Sequence, residues 1–182
     1  METSSHAVLG QLLFIRGVRM EMLKLRPLDR TDSHYLLDID NKVSEYPWGP
    51  DEWELMDKFF PEWETSIATV NSTPKGFSVT ELDKERGVQL IHKLVVRESH
   101  PTLRTLLLER LEYRAFVHSI STIEFVLSET ECRGKDDPYD RSAWLKRQGF
   151  RCENIRKDTF ESYGKVFDGF VFRKLIHEGK YV

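Results

Sequence analysis

The alternation of apolar and polar residues predicts a regular series of elements from Leu23 onward. The segment Leu23–Pro27 alternates apolar and polar side chains and ends at a proline, as a short strand does. Asp29 is a candidate N-cap for the following helix, whose apolar face runs to Val43. The run Tyr46–Pro50 interrupts this helix, because proline removes a backbone donor, and Pro50 suits the first turn of a second helix. The chain therefore opens as strand, helix, helix.

Three extended segments follow, and the third is the most hydrophobic of the chain. Ser66–Val70 and Gly76–Leu82 are the first two, and a polar turn that ends at Gly87 predicts a hairpin into the third. The third segment, Val88–Arg97, is rich in β-branched residues. This composition predicts a strand at the centre of the sheet.

A long helix and two further units complete the pattern. The helix predicted over Pro101–Val117 carries leucines along one face, which is typical of a helix packed on a sheet. The remaining elements are a strand at Thr122–Leu127, a charged loop at Glu129–Asp140, a short helix at Ser142–Gln148, and strands at Arg151–Phe160 and Val166–Leu175. The full order, β-α-α-β-β-β-α-β-α-β-β, predicts a single α/β (α+β) domain.

Composition narrows the class of protein. The chain has 182 residues, of which 40% are hydrophobic and 12% aromatic, enough for one domain with a substantial core. Its net charge is −3 with both signs interspersed, so the basic stripe of a dedicated nucleic-acid binder is missing. Cys132 and Cys152 lie far apart without metal-ligand spacing. We therefore expect no metal, no disulfide framework and a reducing, cytoplasmic setting.

The first 22 residues do not fit the regular pattern. The apolar run Ala7–Ile15 is too short to span a bilayer and lacks the basic segment of a signal peptide, so no membrane segment is expected. We predict an N-terminal arm over residues 1–22, a domain over 23–176 and a polar tail over 177–182. If the arm is ordered, its apolar side needs a cover. This makes it a candidate contact for an oligomer or larger assembly.

Several local sequences, in this order, resemble the Gcn5-related N-acetyltransferase (GNAT) family over residues 23–176. Leu25-Arg26-Pro27-Leu28 with Asp32 is similar to the first strand and helix of the family. The Tyr46-Pro47-Trp48 break and the final hairpin around Tyr163-Gly164-Lys165 also fit, as does the segment 143–150, which ends in Gly-Phe. The resemblance implies a mixed, mostly antiparallel central sheet flanked by helices.

The resemblance also implies an acyl-CoA-dependent N-acyltransferase with acetyl-CoA as donor and an amine, on a peptide or small molecule, as acceptor. In this family the central strand and the next strand separate, the cofactor pairs with the exposed backbone, and its pyrophosphate lies at the N-terminus of the following helix. The positions that match this cofactor region are Val95, Val96, Arg97, Ser99, Thr102 and Arg104. The positions that match the acceptor site are Tyr46, Trp48 and Trp53.

His92 is the candidate catalytic base. It lies in the central strand, where the family often places such a group, and an imidazole has a pKa suited to deprotonating an amine. The alternative is a core histidine on one face with Leu90 and Leu94. Glu81 and Glu124 are weaker candidates, which solvated edge positions would also explain.

The sequence departs from the family at the cofactor loop and at the general acid. The loop reads Arg97-Glu98-Ser99-His100-Pro101-Thr102 without a glycine, and Leu145 stands where the family usually has a tyrosine. These departures predict a degenerate acetyl-CoA loop and leave a second function open. In that alternative the chain is a catalytically inactive GNAT-fold protein that binds a protein partner or serves a structure, for example as a phage virion or assembly component.

Overall fold

The computed structural model describes residues 12–16, 19–44, 46–53, 63–97, 100–132, 141–162 and 165–176, which form one sheet with helices on both faces. The strands are β1 (Leu12–Arg16), β2 (Arg19–Pro27), β3 (Trp63–Val70), β4 (Thr73–Asp83), β5 (Val88–Val96), β6 (Thr122–Ser128), β7 (Arg151–Ser162) and β8 (Lys165–Leu175). The helices are α1 (Ser33–Val43), α2 (Thr102–Val117), α3 (Glu129–Cys132) and α4 (Arg141–Arg147). Residues 50–53 are also helical.

The eight described strands are arranged in the order β1-β2-β3-β4-β5-β6-β8-β7. All neighbouring pairs are antiparallel except β5 and β6, which are parallel and joined through α2. The predicted mixed, mostly antiparallel sheet is confirmed. So is the central position of β5, the strand that the sequence marks as most hydrophobic.

Each face of the sheet has its own hydrophobic core. On one face α2 packs through a buried stripe, and Leu145 of α4 joins the same cluster. On the other face α1 packs through Leu36 and Ile39 against the middle strands. The buried stripe of α2 consists of Leu103, Leu107, Leu108, Leu111 and Ala115. The helical spacing predicted this face as Leu103, Leu106, Leu107, Leu111 and Ala115; the structure buries Leu108 as well and leaves Leu106 only partly buried.

A short 3₁₀ turn, Arg30–Asp32, fixes the start of α1. The Asp29 side chain accepts the backbone N–H of Thr31, and the Asp32 side chain accepts that of Asp29, so the two form a capping box. Arg26 of β2 also binds both carboxylate oxygens of Asp32, at 2.5 and 2.7 Å. These bonds lower the pKa of Asp32 and tie the helix start to the sheet.

Several elements extend beyond the sequence prediction, including β3, which begins at Trp63 rather than Ser66, and β4, which begins at Thr73 rather than Gly76. The first strand begins at Arg19 rather than Leu23, because residues 19–23 pair with β1 in an added hairpin. The predicted domain boundary at residue 23 therefore falls within β2. The predicted charged loop begins with the short helix α3, since Ser128 and Glu131 form a capping box through their side chains and backbone N–H groups.

Bulges interrupt the strands β4, β5 and β7 of the sheet. In β5, Lys93 pairs with Val79 and Ile91 with Thr80, so His92 is the extra residue. The bulge places Leu94 in the core beside α2 and leaves His92 on the opposite face, so the predicted shared face of these two residues is wrong. In β7, residues 157–159 lie opposite Asp168 alone.

Several predictions lie outside the described residues. They concern residues 1–11, the tail at 177–182, the second helix beyond Trp53, and the loop residue Ser99. Within the described residues, none of the helices has the length and apolar character needed to cross a membrane.

Candidate functional site

The parallel strands β5 and β6 separate after four residue pairs. Their ladder runs from Val88–Thr122 to Ile91–Phe125, after which both strands continue without pairing to each other. A cavity of about 260 Å³ opens at this point. It is lined by Ser44, Tyr46, Pro47, Trp48, Glu52, His92, Lys93, Leu94, Val95, Phe125, Val126, Glu131, Arg141, Phe160 and Glu161. The separation of the strands therefore creates the site.

The backbone of β5 points polar groups into this gap. Arg97 donates its backbone N–H to the carbonyl of Lys75 on β4 at 2.9 Å. Because backbone direction alternates along a strand, the N–H and C=O groups of Val96 and Leu94 point away from β4, toward the gap. These groups are available to pair with an extended ligand.

His92 lies at the bulge with two close partners. Its Nε2 is 2.9 Å from Oε2 of Glu81, and its ring stacks on Trp63 with centroids 4.1 Å apart. Burial lowers the pKa of His92, and the Glu81 carboxylate partly offsets this by raising it. The arrangement favours a neutral imidazole, with Nε2–H donated to Glu81 and Nδ1 left as the basic nitrogen.

A buried ion pair lies beside His92. The Lys93 ammonium donates to both carboxylate oxygens of Asp40 at 3.1 Å and to the carbonyl of Tyr46 at 2.5 Å. Asp40 also accepts the hydroxyl of Ser44 and, at 2.8 Å, the backbone N–H of Trp48. Burial lowers the pKa of Lys93, and Asp40 opposes this shift. The pair thereby fixes the loop after α1 against β5.

The aromatic residues predicted for an acceptor site divide into two groups. Tyr46 and Trp48 line the cavity, and Tyr46 stacks on Phe160 of β7 with centroids 5.2 Å apart. Trp53 is instead buried in the core beneath α1, where its ring packs edge-on against that of Phe77 with centroids 5.3 Å apart. The structure therefore brings Tyr46 and Trp48 together with His92, and it places Trp53 in a packing position.

Of the described residues predicted for the cofactor, Val95 alone lines the cavity. The Val96 side chain is instead buried in the core beside α2. Arg97 binds Asp38 of α1 at 2.5 Å. Thr102 is exposed at the start of α2, and the buried Arg104 lies 5.5 Å from the ring of Trp144. The loop arginine is thus already paired with a carboxylate.

Two further sequence expectations concern Leu145 and Glu124. Leu145 is fully buried in the core, and its hydrocarbon side chain has no acidic group that could donate a proton. Glu124 does not occupy the solvated edge position that was expected for it: its carboxylate is buried and accepts from Arg156 at 2.5 Å and Arg173 at 2.8 Å. The reason is that β6 is an interior strand, between β5 and β8.

Sequence reasoning missed Asp40 and Lys93. A signal for Lys93 existed, because a lysine in the middle of the most hydrophobic strand needs a buried partner. Its partner could not be identified, since Asp40 is 53 residues away and shares α1 with a second aspartate, Asp38. Among the described residues, no three His, Cys, Asp or Glu side chains are placed to hold a metal ion.

Solved structures of acetyltransferases share this fold. The chain superposes on the ribosomal-protein-S18-alanine N-acetyltransferase of Escherichia coli with a TM-score of 0.69 and 16% identity, over 88% of this chain and 99% of that one. A probable GNAT-family acetyltransferase from Chromobacterium violaceum superposes with a TM-score of 0.69 and 18% identity, over 87% of this chain and 90% of that one. Arabidopsis thaliana NAA60 in complex with acetyl-CoA superposes with a TM-score of 0.69 and 15% identity, over 85% of this chain and 98% of that one.

No protein-family model and no curated protein sequence matches the chain. The likeness to solved structures is therefore one of architecture. It shows that the chain has the GNAT fold, which confirms the fold that the order of its elements and its local sequences predicted.

We expect Asp40→Asn to destabilise the protein by about 3–5 kcal/mol, because it leaves the buried Lys93 ammonium without a counter-charge. Asp38→Asn is the matched control, since Asp38 is on the same helix but half-exposed, where an ion pair contributes about 0–1 kcal/mol. Urea unfolding at pH 7 measures both. Equal losses for the two variants would contradict the role given to the buried pair.

We expect the imidazole of His92 to titrate below about 6.5, the value of a free histidine, because burial disfavours its charged form. Glu81→Gln should lower the midpoint further, since the carboxylate stabilises the imidazolium. NMR titration of the ring protons, assigned with His92→Asn, measures the shift. Glu85→Gln, in an exposed turn, should leave the midpoint unchanged, and a wild-type midpoint above 6.5 would refute the assignment.

Proposed function

We propose that this chain is an acyl-CoA-dependent N-acyltransferase that moves an acetyl group from acetyl-CoA to an amine. The observation that carries the proposal is the separation of β5 from β6 beyond Ile91 and Phe125, with a cavity between the strands. The solved structure of NAA60 with acetyl-CoA supports it, because that protein has the same fold.

The residues of the gap fit an extended, amide-containing ligand. Leu94 and Val96 direct backbone donors and acceptors into the gap, where the pantetheine amides of acetyl-CoA can pair with them. Thr102 and Arg104 lie in the first turn of α2, where the positive end of the helix dipole attracts phosphate, although the backbone N–H groups of Leu103 and Arg104 already bond to the carbonyls of His100 and Pro101. Bound acetyl-CoA supplies a thioester whose acetyl carbonyl carbon is attacked by the amine, with the CoA thiolate as leaving group, which takes its proton from water.

His92 is assigned as the base that accepts the proton of the acceptor amine at Nδ1. Glu81 orients the ring through Nε2, and Trp63 holds it in plane by stacking. The lowered pKa keeps the imidazole neutral at pH 7, which a base requires. Tyr46 and Trp48 lie on the loop that the Asp40 ion pair fixes, and they form the acceptor side of the cavity.

The buried Leu145 favours a second candidate function. With this residue in the core, the site lacks a tyrosine there to protonate the leaving thiolate, and Arg97 is neutralised by Asp38. Such a protein would keep the fold as a binding or structural component, with an assembly contact through residues 1–22. The enzyme is proposed for the cytoplasm, where acetyl-CoA is available, and the second candidate for the cytoplasm or a virion.

We expect acetyl-CoA to bind the wild-type protein in isothermal titration calorimetry and, at about 100 times its Kd, to stabilise it by about 2.7 kcal/mol. Val126→Trp should weaken binding by at least about tenfold, because Val126 lines the gap and the indole would fill it. Val117→Trp is the matched control, at the exposed end of α2.

No binding by the wild-type protein at millimolar acetyl-CoA would refute the enzyme and favour the inactive component. Equal binding by the Val126→Trp and Val117→Trp variants would show that the ligand occupies another place.

We expect His92→Gln to lower kcat by about 10²–10⁴-fold, the usual contribution of a general base. In the wild-type protein, activity should fall as pH decreases through the lowered pKa of His92, since the protonated ring cannot accept a proton. Glu81→Gln should move this fall in activity to lower pH, and Glu85→Gln should not. If the His92→Gln variant kept the same fall in activity with decreasing pH, the base would be another group.

A further inference from the structure

The positive charges that line the cavity are already neutralised within the chain. Lys93 is paired with Asp40, and the guanidinium of Arg141 is paired with the carboxylate of Glu131. An anionic ligand would therefore have to displace a carboxylate from one of these ion pairs. The cavity offers little to an acceptor that carries a negative charge.

Two carboxylates at the cavity have no cation paired with them in the described part of the chain. Glu52 belongs to the helical segment at 50–53, and Glu161 belongs to β7 next to Phe160. They approach the cavity from different elements, and both are exposed at its mouth. The unbalanced charge of the cavity is therefore negative, which favours a cationic ligand.

The aromatic lining suits the same kind of ligand. The face of Trp48 already holds a cation, since the Lys93 ammonium lies 5.2 Å from its ring centroid. Tyr46 and Phe160 form a stacked pair on the wall beside Glu161. Leu94 and Val126 add apolar surface that a methylene chain can contact.

The volume of the cavity limits the size of the ligand. About 260 Å³ equals the volume of about eight or nine water molecules at roughly 30 Å³ each. A short linear amine fits this volume.

We infer that the acceptor is a short aliphatic diamine, whose second ammonium group is stabilised by the negative charges of Glu52 and Glu161 at the cavity mouth while the first amino group reaches His92. This inference rests on the proposed function, because that function makes the cavity the acceptor site. The amine near His92 attacks the thioester carbon in its unprotonated form, its N–H proton passes to the imidazole, the C–S bond breaks to release the CoA thiolate, and the distal ammonium keeps its charge.

Three five-carbon amines test the inference with the full-length wild-type protein: cadaverine, pentylamine and aminovalerate, which carry a positive, a neutral and a negative far end. Calorimetry without acetyl-CoA should give a Kd for cadaverine about tenfold below that for pentylamine, with aminovalerate weakest. The preference should shrink as salt is raised, because the carboxylates are exposed. In the acetyl-transfer assay, kcat/KM should follow the same order.

Glu52→Gln and Glu161→Gln should each reduce the cadaverine-to-pentylamine ratio severalfold without changing the affinity for pentylamine. Glu85→Gln, an exposed glutamate in the turn between β4 and β5, is the matched control and should leave the ratio unchanged. Glu52→Gln and Glu161→Gln both replace exposed side chains, so we expect the fold to be preserved. Thermal unfolding checks this.

Equal binding of cadaverine and pentylamine, or a ratio that survives both substitutions, would overturn the inference. Acetyl-CoA binding without a diamine preference would overturn this inference alone and leave the acyltransferase intact. Cadaverine binding without acetyl-CoA binding would overturn the proposed function and show a diamine-binding protein instead.

Discussion

The buried pair of Asp40 and Lys93 is the interaction on which the site depends. Burying a lysine in the central strand of a sheet destabilises the fold unless its ammonium group binds a carboxylate and further hydrogen-bond acceptors. For Lys93 these groups are the Asp40 carboxylate and the Tyr46 carbonyl. The same carboxylate accepts the Trp48 backbone. One charge pair therefore holds α1, the loop that follows it and β5 in fixed relative positions, and the acceptor side of the cavity is built on that loop.

The positions of the main elements could be predicted from the sequence because local patterns determine them. The leucine spacing of α2 and the β-branched composition of β5 specify a helix and a central strand without knowledge of their neighbours. The capping box at Asp29 and Asp32 is equally local. The gap between β5 and β6 was expected through the family resemblance, and the register of these strands agrees with it.

The remaining features of the site depend on contacts between distant residues. The partner of Lys93 lies 53 residues away, and the two arginines that neutralise Glu124 lie 32 and 49 residues away. No periodicity in the chain indicates such pairings. The bulge at His92 is a similar case, since one extra residue in β5 reverses the faces of all side chains after it relative to a regular strand.

The bulge in the edge strand β7 has a consequence for association between copies of the chain. Residues 157–159 lie opposite a single residue of β8, Asp158 has a φ of 51°, and Lys157 pairs with Asp168 across the strands. An outer edge of twelve residues would otherwise present a straight row of hydrogen-bonding groups to another sheet. The bulge and its charged side chains interrupt that row, and so they protect the protein against edge-to-edge aggregation.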